Sequence, residues 1–377
     1  MSAVSKKIIA IVLAILFVSA CGNDKQAAAS AKETIGSNFT ENLKKAEAGD
    51  ATAQALVGRA YLKGEGVAAD SAKALEWIKK SNAQGNPEGQ AALGGVYWGG
   101  DVGVQQDYKE ACRLYRLAAE QNNAAGQVAL SGCYELGVGG QKKDIAKAAS
   151  LQEQAAAQGN TLAQEMIGQK YFYGVGVKTD QEKGMQWLTK AAEAGQTDAM
   201  LTIARIYYTE KNDPVEAVKW DQKAADKGNP AGMNSIANCY ENGEFGYKKD
   251  EKTAYQWYQK AADTGNADAL FNIGRFHRLG LAGLKKDENE GAKWYQKAAD
   301  AGSPIAMYNV GTYYENGESG YKKDMAVAAL WYRKAAELGD KDSQLMLVDL
   351  YTQGLGVKKN LKEAARWQRM ADTNNGA

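Results

Sequence analysis

One pattern constrains this chain more than any other: from Asp50 onward a single unit recurs nine times. A tryptophan column marks it, with Trp77, Trp187, Trp220, Trp257, Trp294, Trp331 and Trp367 at corresponding places and Leu114 and Leu151 at the two remaining steps. Each of these lies seven residues after Asp70, Asp107, Asp144, Asp180, Asp213, Asp250, Asp287, Asp324 or Asn360. A second column holds Tyr61, Tyr97, Tyr134, Tyr171, Tyr207, Tyr240, His277, Tyr314 and Tyr351. From each tryptophan-column residue to the next tyrosine-column residue is always 20 residues, so that segment tolerates no insertion. All variation in length falls between the tyrosine and the following Asp: nine or ten residues, and six in the fifth unit.

The variable segment usually carries a glycine pair, as in Gly64-Glu65-Gly66 and Gly174-Val175-Gly176, suited to the positive φ that ends one helix and reverses the chain. The unit therefore reads as helix A, glycine loop, helix B, with the Asp as N-cap of helix B. At about 100° per residue, the tyrosine column, the glycine three before it (Gly58, Gly94, Gly168, Gly274, Gly311) and the aliphatic residue four before it share one face of helix A. The tryptophan and the alanines of strings such as KAADTG at 260–265 supply the complementary stripe on helix B. A hairpin this small cannot bury both faces alone, so copies must stack, which predicts an all-α, α/α solenoid or superhelix.

The pattern Ala-x3-Leu-Gly-x2-Tyr, Gly-x-Gly-Val-x2-Asp, Lys-Ala-x2-Trp-x2-Lys-Ala-Ala-x2-Gly resembles the Sel1-like repeat, a relative of the tetratricopeptide repeat, over residues 50–375. Residues 39–49 fit the end of a helix B and are expected to form an N-terminal capping helix.

Ahead of the repeats, Lys6 and Lys7 precede an apolar run from Ile8 to Val18 and the small residues Ser19 and Ala20, the layout of a secretory signal. At 11 residues the run is too short to cross roughly 30 Å of hydrocarbon. Val18-Ser19-Ala20-Cys21 resembles the bacterial lipobox, which implies a signal peptide at 1–20 and acylation of Cys21. With Gly22 next, that resemblance implies export and an outer-membrane anchor facing the periplasm. Residues 21–38, rich in Ala, Ser, Asn and Lys, read as a flexible tether.

Composition narrows the chemistry. Lys plus Arg is 46 and Asp plus Glu is 45, which offers no field for a nucleic acid. A single histidine, His277, excludes multi-histidine metal sites, and it occupies a tyrosine-column slot, where packing explains it. No P-loop, GxSxG or HExxH motif is present. Some relatives of this repeat are described as β-lactamase-like, yet the sole SxxK match, Ser319 to Lys322, lies in a glycine loop. Hydrolysis of β-lactam or cell-wall substrates is thus the alternative, and the main expectation is no enzyme activity, no cofactor and no metal. Three cysteines remain besides Cys21: Cys239, and Cys112 and Cys133, which fall at matching heights on helix B of repeat two and helix A of repeat three and are disulfide candidates.

Stacked hairpins of this kind line the inside of their curve with helix A. The positions five and two before the tyrosine column are expected to be exposed there: Thr202 and Arg205, Ser235 and Asn238, Asn272 and Arg275, Asn309 and Thr312. Beside them stand the apolar Leu201, Phe271 and Tyr308, a mixture typical of interaction hot spots. The expected role is a lipid-anchored periplasmic scaffold that binds another protein through this concave face. The family resemblance sharpens it to an envelope or secretion adaptor, or an immunity protein that neutralises a toxin effector.

Overall fold

The computed structural model describes residues 38–100 and 102–373. The signal segment, Cys21 and the tether up to residue 37 lie outside the described residues. Every regular element among those described is helical. A leading helix at 38–47 precedes nine pairs. In repeats one to five these are α1 (Ala51–Lys63) and α2 (Ser71–Ala83), α3 (Pro87–Gly99) and α4 (Tyr108–Glu120), α5 (Ala124–Leu136) and α6 (Ile145–Ala157), α7 (Thr161–Tyr173) and α8 (Gln181–Glu193), α9 (Thr197–Thr209) and α10 (Pro214–Asp226). Repeats six to nine comprise α11 (Pro230–Asn242) and α12 (Glu251–Ala262), α13 (Ala267–Leu279) and α14 (Glu288–Asp300), α15 (Pro304–Asn316) and α16 (Met325–Glu337), α17 (Lys341–Gln353) and α18 (Leu361–Thr373). Odd-numbered helices are helix A and even-numbered ones helix B. The chain divides into two compact units between Ile203 and Ala204.

The expected caps are all in place. The side chain of each cap residue from Asp70 to Asn360 accepts from a backbone N–H in the first turn of its helix B, as Asp324 Oδ1 does from Ala326 and Val327. A second bond accompanies each. The backbone N–H of every cap residue donates to the carbonyl of its own tyrosine-column residue at 2.7–3.0 Å, from Asp70 to Tyr61 through Asn360 to Tyr351. The loop is pinned at both ends by one bond, which is why its length can vary. The short loop of repeat five makes the same closure, Asp213 to Tyr207 at 2.9 Å, with Asn212 at φ 50 taking the positive φ that glycine supplies elsewhere.

The tryptophans are not the deepest wedges. Trp367 is buried, but Trp77, Trp187, Trp220, Trp257, Trp294 and Trp331 are only half-buried. A lysine three residues on lies over each of these six indoles, from Lys223 at 3.5 Å to Lys190 at 4.5 Å. The residue after the tryptophan fills the interior: Ile78 and Leu188 in the first unit, and Tyr258, Tyr295 and Tyr332 in the second. Its socket is the glycine three before the tyrosine column. A Cβ on Gly274 would sit 2.6 Å from the Tyr295 ring, and one on Gly311 2.7 Å from Tyr332.

Within the first unit, glutamine pairs join successive repeats, an exposed donor meeting a buried acceptor: Gln84 donates to Gln54 at 2.8 Å, Gln121 to Gln90 at 2.9 Å and Gln158 to Gln127 at 2.7 Å. A disulfide between Cys112 of α4 and Cys133 of α5 joins repeats two and three. In the second unit His277 stacks on Trp294, ring centroids 6.3 Å apart, and its Nε2 lies 3.2 Å from the Tyr255 hydroxyl, in keeping with a packing role.

Candidate partner-binding face

In the second unit the residues nominated on helix A fall into two groups. Arg205 and Asn238 are exposed. Ser235, Phe271, Asn272, Arg275, Tyr308, Asn309 and Thr312 are half-buried rather than exposed, Phe271 and Tyr308 because core tyrosines lie beneath them. Phe271 stacks on Tyr295 with centroids 4.7 Å apart, and Tyr308 tilts against Tyr332 at 5.6 Å. Asn272 donates to Asn234 of the preceding repeat at 3.2 Å. Asn309 and Thr312 bond their own helix backbone, to the carbonyls of Ile305 and Asn309, both at 2.7 Å.

Arg275 was expected to be exposed on this face, and it is half-buried and paired instead. Its guanidinium pairs with Glu241 of the preceding repeat at 2.5 Å, and Glu241 also accepts from the Tyr258 hydroxyl at 2.9 Å. The same hydroxyl bonds Asn238. Repeat eight has the matching arrangement, with Tyr332 donating to Glu315 at 2.6 Å. Burial together with the neighbouring carboxylate raises both phenols well above the ordinary tyrosine range. In repeat seven the corresponding residue is Arg278, whose positive charge acts on the Tyr295 phenol. The nominated positions thus rest on a polar layer: each core phenol meets the residue that follows the tyrosine column.

In the first unit, Leu201 is half-buried and Thr202 is buried rather than exposed. The physical reason is Gln169, two before the tyrosine column of repeat four, whose long side chain extends over the neighbouring helix and donates to Thr202 Oγ1 at 3.2 Å. Gln169 also donates to Glu165 at 3.0 Å. Glu165 is 8% exposed. Burial first, and Asp198 second, push its carboxyl up to about 7.

Sequence reasoning missed Glu241, Tyr258, Arg278, Glu315 and Tyr332 on this face. The signal was present in three consecutive repeats, as the Trp-Tyr pairs at 257–258, 294–295 and 331–332, but a residue adjacent to a strong marker reads as its passenger. Among the described residues no three His, Cys, Asp or Glu side chains converge as a metal cluster, and no helix is long and apolar enough to cross a membrane.

Comparison with known proteins bears on the whole repeat region. The Sel1 repeat model matches nine times, at 51–86, 87–123, 124–160, 161–196, 199–229, 230–266, 267–303, 304–340 and 342–371. A search of the curated proteins finds no match. Among solved structures, c5321, a protective antigen of uropathogenic Escherichia coli with an SLR fold, is 30% identical over 93% of this chain and 78% of its own, with a TM-score of 0.53. A Sel1 repeat protein from Oxalobacter formigenes is 30% identical over 80% of this chain and 88% of its own, with a TM-score of 0.56. The immunity protein Pa5087 from Pseudomonas aeruginosa shares 15% identity over 57% of this chain and 81% of its own, at a TM-score of 0.42. Nine matched repeats, with caps, loops and sockets that recur in step with them, establish that the chain belongs to the Sel1 repeat family.

Proposed function

We propose that this chain is a protein-binding scaffold, held at the bacterial envelope by a lipid on Cys21, which captures its partner on the helix-A residues of repeats five to eight. One observation carries the reading. Phe271 and Tyr308, on successive helices A, are partly exposed aromatic side chains whose rings are already held against the buried Tyr295 and Tyr332. Rings fixed before binding lose little rotamer freedom on association, which favours them as anchors. Asn238, Asn309 and Thr312 supply polar groups beside them, and Arg205 a cation on repeat five. The role is recognition rather than turnover, with no cofactor or metal taking part.

The lipid-box residues at 18–21 and the tether up to residue 38 support export and anchoring, and the disulfide suits an oxidising compartment such as the periplasm. The similar Escherichia coli chain is described as a protective antigen, which agrees with an envelope location here. Two sharper roles fit a tethered scaffold, an envelope or secretion adaptor and an immunity protein against a toxin delivered to the periplasm.

The test is capture from the native envelope by the full chain and by an Arg205→Glu, Asn309→Glu double variant. The expected result is loss of the captured partner in the variant with no change in thermal midpoint. Equal capture by both would remove this face from consideration. A Cys21→Ser chain should leave the membrane fraction, and protection of cells against the product of the neighbouring gene would select the immunity role. Turnover of a chromogenic β-lactam by the purified chain would replace recognition with hydrolysis.

A further inference from the structure

Repeats eight and nine enclose an open-mouthed cavity of about 550 Å³, lined by Arg333 and Glu337 of α16, Tyr351 of α17, the loop residues Val357 and Lys358, and Asn360, Glu363, Arg366 and Trp367 at and in α18. That volume lies within the range of small-molecule sites. Two other repeats show how such a space can be filled. The loop position three before the helix-B cap is Tyr247 in repeat six and Tyr321 in repeat eight. Each phenol reaches back to a glutamine of the preceding helix B, Tyr247 to Gln222 at 3.1 Å and Tyr321 to Gln296 at 3.4 Å. Both glutamines stand two residues after the tryptophan column.

At the junction of repeats eight and nine neither member of this pair is present. Val357 is the aliphatic residue that Val67, Val104 and Val177 also supply at this loop position, and Arg333 stands in the glutamine's place, so a cation borders a space that no ring fills. Arg333 does not close onto Glu337 one turn along its own helix. Its guanidinium instead bonds the Tyr351 hydroxyl, with its carbon 5.8 Å from that ring, and no carboxylate of the described residues lies within 4.0 Å of it. Two acids line the cavity, and one of them, Glu363, is paired with Arg366 at 3.3 Å. Arg333 and Lys358 then outnumber Glu337. Trp367, 2% exposed, also lines the cavity, and its indole N–H, like those of Trp220 and Trp294, has no hydrogen-bond partner.

We propose that this cavity binds a flat, carboxylate-bearing aromatic group, the ring taking the volume that Tyr247 and Tyr321 fill elsewhere and the carboxylate meeting Arg333 and Lys358. A planar guanidinium supported by an aromatic neighbour suits a carboxylate in a way a lysine alone does not. The group can be a free aromatic acid or the C-terminal aromatic residue of a polypeptide, and one experiment separates these sources.

The full chain is titrated with benzoate, with N-acetylglycylphenylalanine and with the amide of that dipeptide, following the Trp367 indole N–H resonance, assigned through Trp367→Phe. At least one of the two acids should shift the resonance saturably at about 1 mM or below, while the amide should not. Tighter binding of benzoate assigns a free acid, and tighter binding of the dipeptide assigns a chain terminus. Two variants borrow from the chain's own repeats and so should fold: Arg333→Gln should weaken binding about tenfold, and Val357→Tyr should abolish it with the thermal midpoint retained. No saturable shift with either acid, equal binding of the amide, or undiminished binding in Val357→Tyr would each overturn the proposal.

Discussion

Asp221 shows how much a single position can depart from its repeat. It follows Trp220, in the place that holds Tyr258, Tyr295 and Tyr332 in later repeats, and it is 3% exposed. Burial raises its carboxyl to about 6 from 3.8, against the opposing hydrogen bonds from Ser235 and Tyr208. A raised acid pKa means that the native state holds the proton more tightly than the unfolded chain does. Its stabilising contribution is therefore complete below about pH 3.8 and is lost as pH rises through about 6. Asp221→Asn should match the parent near pH 4 and exceed it near pH 8 by about 3 kcal/mol. Urea midpoints at the two pH values test this, and an equal difference at both would refute the sign. Glu165 follows the same logic between 4.5 and about 7, so Glu165→Gln should likewise gain stability only on the alkaline side.

Among the elements, each helix depends on a cap and a socket of different strength. Asp324 Oδ1 accepts from Ala326 at 2.9 Å and Val327 at 3.1 Å. Asp324→Ala should lose about 1 kcal/mol. Because the Asp324 backbone N–H still reaches the Tyr314 carbonyl, amide exchange should quicken only in the first turn of α16. The socket is less forgiving. A Cβ at Gly311 meets the Tyr332 ring at 2.7 Å, so Gly311→Ala should lose about 2 kcal/mol, read from denaturant midpoints. The helix-B caps were legible because an Asp, or Asn360 in the last repeat, precedes each tryptophan-column residue at constant spacing. The helix-A caps, Asp50, Asn86, Asn123, Asn160, Asn229, Asn266, Ser303 and Asp340, were equally present but passed unread. They vary in type, and the Gly-Asn pairs among them read as loop.

At the scale of the whole molecule, neighbour-to-neighbour interfaces replace a single core, so stability is local and additive along the array. The Cys112–Cys133 bridge, with a sequence separation of 21, ties two such neighbours in the first unit. Replacing both with serine should lower stability by about 3 kcal/mol, through the freedom returned to the unfolded chain. Exchange protection of repeats two and three reports the loss, and unchanged protection there would show that the packing of α4 on α5 suffices alone. The repeat number, the helix order, the loops and the capping acids were all readable from spacing, because each depends on residues close together in the chain. The partner-binding face was readable only in outline. Arg275 pairs with Glu241, 34 residues away, and Asn272 with Asn234, 38 away, while Thr202 disappears beneath Gln169, 33 away. Periodicity alone determined which side chains stand on that face. Which of them are already committed to a neighbour was decided by the stacking, since long side chains choose rotamers only when the next repeat brings a partner within hydrogen-bond reach.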